Sequence, residues 1–579
     1  MPSRRLLPLV LLAVLALLCL PLAGAAPAAA PRPVPGRSAT PVAATPAAEL
    51  TARLDALLAG YYPPDAPGAA VLVTKDGKPL LRRGYGMADL ELGVPMRPEH
   101  VFRLGSVTKQ FTAVAILQLV AQGKVALDDD IGKYLPAFPP PERRVPPGRI
   151  TVENLLTHTS GIKSYTDMDS FQSRMREDLT PEQMNERFQG QPLDFAPGTQ
   201  WRYSNSGYFL LGEVIARASG LPYGEYLAKN LFAPLGLTHT SYGDTTPLIA
   251  QRVPGYSREG DHWVNAPFLS MTQPYAAGSL LSTVDDLARW NEALLAGKAV
   301  SPELLRRAWA SYHLADGSSS GYGYGWSVGE LLGHPTVEHG GGINGFSTYE
   351  LALPDQKLFV AVLTNSDAPP VDPGFVAAQA ASFAMGAPYD PHPVALPAER
   401  LQEYVGVYRI DDRTTRAITL EDGRLWSQRS GGPRFEVRPQ GEDRFFFERS
   451  FAELRFERGA DGKVAAVVLS RRPGQPERAL RTADQPLVHQ AIALDPATLD
   501  RYAGRYELAP GFVLEVRHEG AHLMAQATGQ ATLEIFPQSA SEFFVAEVDA
   551  QVTFQLGADG VATGLVLHQG GRDIPGKKL

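Results

Sequence analysis

The C-terminal part of the chain is written twice. Tyr404, Gly406 and Tyr408 return as Tyr502, Gly504 and Tyr506, an offset of 98 residues (502 − 404). The same offset carries Phe445-Phe446 onto Phe543-Phe544, Phe456 onto Phe554, Gly459-Ala460-Asp461-Gly462 onto Gly557-Ala558-Asp559-Gly560, and Leu469 onto Leu567. One spacing shared by so many positions marks a duplicated domain. Each copy alternates over short runs and turns at Asp422-Gly423 or Glu519-Gly520, which predicts a small antiparallel barrel or sandwich, over 397–485 and again over 495–579. A Pro-rich gap near Ala387–Pro397 separates this tail from what precedes it. With 579 residues the chain is too long for one core, so residues 48–387 must build another.

That upstream region is organised around Phe102-Arg103-Leu104-Gly105-Ser106-Val107-Thr108-Lys109-Gln110-Phe111. Phe111, Val114, Ala115 and Leu117 recur at helical spacing, which puts Ser106 at the start of a buried helix with Lys109 one turn on, on the same face. A serine hydroxyl becomes a nucleophile when a neighbour takes its proton, and a lysine can do so once burial and a helix N-terminus lower its pKa. The backbone N–H of Ser106 would then face a developing oxyanion. The bland reading of a lone Ser-x-x-Lys is a helix cap followed by a solvated lysine. Ser160-Gly161-Ile162-Lys163 also fits the pattern, but Gly161 and the lack of an apolar run after it make that a turn.

The rest of the region alternates strands and helices. Ala48–Leu58 is amphipathic. Ala69–Val73 and Leu80–Tyr85 flank a Lys75-Asp76-Gly77-Lys78 turn and read as a hairpin, while Leu358–Leu363 is apolar enough for a buried central strand. Ile150–Leu156 reads as a Thr-capped helix closing at Thr159-Ser160-Gly161, where His158 is expected to be a structural hydrogen-bonder at the helix C-terminus, with a catalytic role as the alternative. Phe209–Ala218 is a further apolar helix, and Gly321–Trp326 opens a set of short strands. Asp128-Asp129-Asp130 is read as a solvated helix-start cluster, and His518 with His522 as surface or pocket residues, since neither group has a further ligand at metal spacing.

The N-terminus has its own logic. Arg4 and Arg5 precede an apolar run from Leu6 to Leu22, and Ala23-Gly24-Ala25 has the small-x-small pattern of a secretory signal. Pro8, Pro21 and the modest length argue against a stable membrane helix, so residues 1–25 are expected to be removed. The protein is then secreted or periplasmic, and membrane-anchored only if the signal stays. Residues 26–47 are Ala/Pro-rich and read as a disordered tether. The one cysteine, Cys19, falls inside the signal behind Leu18, which is not the small residue that lipidation needs. The mature chain is left without disulfide, Cys-metal or thiol chemistry. Loss of Arg4 and Arg5 moves the net charge from −8 to −10 (52 basic against 62 acidic residues), which disfavours nucleic acid and anionic membranes as partners.

Ser106-x-x-Lys109, Tyr203-x-Asn205 and His339-x-Gly341, in that order, resemble the three motifs of the serine β-lactamase and penicillin-binding-protein superfamily. Leu155–Gly161, Pro197-Gly198, Pro234–Leu237 and Gly278–Thr283 are similar to its class C branch and to the S12 peptidases, so the likeness runs from about Ala48 to Ala387. The resemblance implies an α+β fold, with an antiparallel sheet flanked by helices, an all-helical subdomain, and then two small antiparallel β-barrel domains. It implies Ser106 as acylated nucleophile, Lys109 and Tyr203 sharing the proton work, and Asn205 bonding both Lys109 and a substrate carbonyl. His339, Gly341 and Gly342 would line the substrate strand, the Gly342 N–H completing the oxyanion hole. No cofactor and no metal are implied. Superfamily members acting on β-lactams carry Lys-Thr-Gly or Lys-Ser-Gly at the third motif, and His339-Gly340-Gly341 is instead similar to D-aminopeptidases and some esterases. The expected activity is an exported serine hydrolase acting on small peptide amides or esters. The alternatives are a carboxylesterase or weak β-lactamase, and outside the enzymes an acylatable penicillin-binding sensor. The paired tail resembles the lipocalin-like tail of related S12 peptidases.

Overall fold

The structure is a computed structural model. It describes residues 47–579 except 137, 139–148, 169, 412–413, 471–475, 488, 490, 510–511, 529, 531 and 570–571; the expected signal and the tether up to residue 46 lie outside the described residues. Two compact units meet in sequence at Asp390/Pro391.

The first unit opens with α1 (Ala47–Tyr61) and the hairpin β1 (Ala69–Lys75) and β2 (Lys78–Tyr85). Asp76 and Gly77 both take positive φ, 51° and 72°, the two-residue turn that matches strand twist. The main elements that follow are α2 (Thr108–Ala121), α3 (Asn205–Ser219), α4 (Val284–Leu295), β3 (Ser327–Leu331), β4 (His334–Ile343), β5 (Phe346–Leu353), β6 (Leu358–Thr364) and α5 (Pro373–Ala384). The six strands form one antiparallel sheet in the order β3-β4-β5-β6-β1-β2. α5 packs on β5 and β6, and α4 on β6 and β1. Every residue of β6 is buried, as its unbroken apolar run requires. Gly321–Trp326 is a bent segment before β3 and forms no strand of its own beyond a single bridge from Tyr322 to Ser327, because Gly321 and Gly325 turn the chain at φ 70° and 85°.

α2 is the centre of the helical part. Thr108 to Leu117 are all buried, so the helix has no solvent face. Two of its threonines bond the segment around 276–280: Thr108 Oγ1 accepts from the Leu280 N–H (3.0 Å), and Thr112 Oγ1 donates to the Ala276 carbonyl (2.7 Å). Thr151 caps Val152–Leu156, with Asn154 reciprocating. α3 begins four residues before the apolar run that announced it, because Ser204 caps it and Asn205 becomes its first residue.

The second unit holds two closed eight-stranded barrels, Gly406–Arg409 through Glu477–Arg481 and Gly504–Ala509 through Arg572–Lys578, so the repeat is a barrel and not a sandwich. The repeated aromatics are the reason. Tyr408 donates to the Tyr404 carbonyl (2.7 Å) and Tyr506 to that of Tyr502 (2.6 Å), while Tyr404 packs on Phe445 and Phe456 as Tyr502 does on Phe543 and Phe554. The interiors differ in polarity at one site. Buried Arg416 donates to Ser427 Oγ (2.9 Å) and pairs with Glu477 (2.8 Å), whereas the corresponding positions of the second barrel are Leu514, Ala525 and Ile574. An antiparallel bridge between Pro433 and Val548 links the barrels.

The polar clusters noted in sequence separate. Asp129 pairs with Lys133 (2.8 Å), and Asp130 caps the turn at Gly132 (2.7 Å). His518 faces Asp500 (2.6 Å), and His522 pairs instead with Glu534.

Candidate active site

Ser106 lies in a single 3₁₀ turn, Gly105–Val107, immediately before α2. It is not the cap of that helix. Val107 holds the cap position without a side-chain hydrogen bond, which leaves the Ser106 hydroxyl free for other partners. Gly105 takes φ 53°, and a Cβ there would lie 3.0 Å from both N and O of Gly342, so the turn fits only with glycine. This close approach brings the Ser106 peptide up to the Gly342 peptide on β4.

One turn along α2, the Lys109 side chain is wholly buried and its Nζ has three neighbours: Ser106 Oγ (2.9 Å), Asn205 Oδ1 (2.9 Å) and the Ala277 carbonyl (2.7 Å). None is a carboxylate. Burial therefore holds the lysine well below its ordinary pKa. The rings of Tyr203 (4.8 Å) and Tyr208 (5.5 Å) favour the cation, each by about 1–2 kcal/mol, too little to offset full desolvation. A neutral amine has two hydrogens and one lone pair. The carbonyls of Asn205 and Ala277 can only accept, so they take both hydrogens and the lone pair is left to the Ser106 hydroxyl.

The Tyr203 phenol faces Ser106, and burial pushes it up, so it is protonated at neutral pH. The loop that carries it is held by His158. The Ser204 N–H donates to His158 Nδ1 (3.1 Å), and the imidazole packs against Tyr203 (ring centroids 4.2 Å apart). Burial, with Lys109 and His339 nearby, holds His158 well below the usual histidine range. His158 is thus the structural hydrogen-bonder expected of it. Asn205 is positioned from behind, its N–H donating to Ser164 Oγ (3.1 Å) and its Nδ2 to Thr166 Oγ1 (3.2 Å).

β4 forms the opposite wall. Its ladder with β3 ends at the pair Glu338 and Ser327, and His339–Ile343 run past it. A Cβ on Gly341 would sit 1.9 Å from the Leu104 carbonyl oxygen and 2.3 Å from Thr348 Oγ1, whereas one on Gly342 would meet nothing within 4 Å. Gly341 lets the serine turn pack against the strand, and Gly342 faces open space. Gly341→Ala should therefore lower the unfolding free energy of this region by about 2 kcal/mol or more, read from denaturant midpoints. A midpoint equal to wild type would contradict the packing described. His339 is buried, with Nε2 2.8 Å from the Tyr322 hydroxyl and Nδ1 2.6 Å from the Gly340 carbonyl.

The seven residues singled out in the sequence thus surround one another across three segments of chain. Ser160 does not join them; its Oγ accepts from the Ile162 N–H (3.2 Å) within its own loop. Two participants were not anticipated. Ala277 contributes only a carbonyl, to which no sequence signal attaches, although it directly precedes the Gly278–Thr283 stretch. Tyr322 lies in the Gly-Tyr alternation of 321–325, which marks an unusual backbone but no role.

A buried amine on a serine hydroxyl, at the head of a central helix and beside a glycine-rich strand, defines the serine acyl-transfer class. The chain belongs to the beta-lactamase family, which it matches over residues 54–384. Residues 390–484 and 488–578 each match a domain of unknown function (DUF3471). Penicillin-binding protein 4* of Bacillus subtilis (strain 168) is 28% identical over 441 residues, covering 71% of this chain and 94% of its own. Among solved structures, the octameric penicillin-binding protein homologue from Pyrococcus abyssi superposes with a TM-score of 0.53 at 26% identity, over 74% of this chain and 99% of that one. The D-amino acid amidase from Ochrobactrum anthropi SV3 shares the fold, with a TM-score of 0.50 at 24% identity over 58% of this chain and 98% of its own. The protein is a serine hydrolase of the β-lactamase and penicillin-binding-protein superfamily.

Proposed function

We propose that the protein hydrolyses small peptide amides or esters through an acyl-enzyme on Ser106, with substrates like those of D-aminopeptidases. The observation that carries this reading is the set of three partners around Lys109 Nζ, which leaves the amine's lone pair to the serine hydroxyl. Lys109 takes the Ser106 proton as Oγ attacks the substrate carbonyl carbon. The oxyanion forms against the N–H groups of Ser106 and Gly342. Tyr203, a phenol at neutral pH, gives its proton to the departing amine or alkoxide as the carbonyl re-forms, and the Lys109 ammonium returns a proton to the phenolate. Water, deprotonated by Lys109, then attacks the acyl carbon and frees Ser106.

The third motif supports the choice of substrate. Burial and the nearby Lys109 pull the His339 imidazole down to about 3, so no cation stands where β-lactam-active relatives place a lysine. Steady-state kinetics over D- and L-aminoacyl p-nitroanilides, short p-nitrophenyl esters and a chromogenic cephalosporin test the proposal. Turnover of aminoacyl amides or esters is expected, with the cephalosporin at least about tenfold poorer in kcat/KM, as loss of one charge-assisted contact implies. A preference for the cephalosporin, or an acyl adduct that persists in intact-mass spectra without product release, would overturn it.

A further inference from the structure

Both ring nitrogens of His339 are occupied inside the protein. A carbonyl oxygen can only accept, so the 2.6 Å contact with Gly340 O places the imidazole proton on Nδ1. Nε2 then carries the lone pair, and the Tyr322 hydroxyl donates to it across 2.8 Å. Tyr322 is itself fixed. It is buried, its carbonyl accepts from the Tyr312 N–H (2.9 Å) and Ser320 Oγ (3.0 Å), and its ring stands against His158 (4.8 Å) and Trp201 (6.0 Å). The titratable groups facing His339 are Lys109, His158, Tyr203, Tyr322 and, opposite it on β5, Glu350. Lys109 and His158 are held towards their neutral forms by burial, and burial raises the Glu350 carboxyl to about 8, so its protonated form predominates at neutral pH.

We propose that Tyr322 is a specificity-determining positioning residue: by occupying Nε2 of His339 it leaves the substrate strand with neither a cation nor a donor at that position, so that amides and esters whose leaving group lacks a carboxylate are selected. This rests on the hydrolase reading above. It extends that reading from the identity of the third-motif residue to the side chain that locks it, and it gives His339 a role by exclusion.

The experiment has an arm that needs no turnover. In ¹⁵N spectra of the full chain labelled at histidine, with the His339 signal assigned by loss in His339→Gln, His339 at pH 7 carries one proton, on Nδ1. An imidazolium, or a proton on Nε2, would overturn the proposal whatever the enzyme hydrolyses. The second arm compares two aminoacyl anilides that differ only by a ring carboxylate. Tyr322→Phe, which keeps the ring and removes the donor, lets Nε2 take up a proton more readily, and at pH 5 it should raise the carboxylate-to-neutral ratio of kcat/KM by about fivefold to tenfold, chiefly through KM, since one hydrogen bond from a charged imidazole is gained. The gain should grow as the pH falls from 7 to 5, because the neutral imidazole has lost its hydrogen bond and protonates more readily. It should vanish in Tyr322→Phe/His339→Gln. An unchanged ratio in the single variant, or a gain that survives in the double variant, would refute the assignment. Failure of the hydrolase reading would show differently, as no turnover of either anilide with the ¹⁵N result intact.

Discussion

Ser106→Ala should lose all covalent labelling by a fluorophosphonate and fall by about ten-thousand-fold or more in kcat/KM, while its thermal unfolding stays close to that of the wild type. The expectation of an intact fold comes from where the hydroxyl points. It caps no helix; without it the Lys109 amine keeps Asn205 and the Ala277 carbonyl, and the Tyr203 ring stays packed on His158. Ser160→Ala is the matched control, because Ser160 also precedes a lysine by three residues yet bonds only within its loop. It should label like the wild type. Labelling that persists in Ser106→Ala, or that disappears in Ser160→Ala alone, would remove Ser106 from the role of nucleophile.

Lys109→Met should lower kcat by about a thousandfold, since the variant keeps the oxyanion donors and the serine but loses the base. It should also change how stability depends on pH. In the folded wild type the amine is held well below its ordinary pKa by burial, whereas in the unfolded chain it titrates near that ordinary value of 10.5. Between those two values the unfolded state binds more protons than the folded state, so wild-type stability rises with pH. Methionine has nothing to titrate. The stability of wild type relative to Lys109→Met should therefore increase from pH 7 to pH 10, and level off above the unfolded lysine value. Urea unfolding at a series of pH values measures this directly. A difference that is flat or falls over the interval would mean that Lys109 is charged in the folded protein, and Tyr203 would become the better base.

Several parts of this molecule are legible in the chain because they depend on local periodicity. Ser106 and Lys109 are three residues apart on one helix, so their meeting follows from 3.6 residues per turn. The barrels follow from a fixed offset, since the repeated Tyr and Phe side chains are the ones that fill each interior. Asn205 and His339 are different: nothing near either predicts its neighbours, and only the resemblance in motif order placed them. Tyr322 and the Ala277 carbonyl were not legible at all. Their roles arise from tertiary packing, in one case through a backbone atom that every residue type possesses. The start of α3 was misplaced for a related reason: Ser204 and Asn205 are ordinary turn residues until His158, far away in sequence, accepts the Ser204 N–H and turns them into a helix entry.

The catalytic region and each of the two barrels bury hydrophobic side chains of their own, with Tyr404 and Tyr502 at corresponding points of separate interiors. Such a chain has no one melting temperature. Heat capacity recorded on it sums unfolding events of distinct cooperative blocks, and a covalent inhibitor on Ser106 displaces only the event belonging to the block that holds it. The component that moves on acylation is thereby labelled as the enzyme, and those that stay belong to the tandem tail.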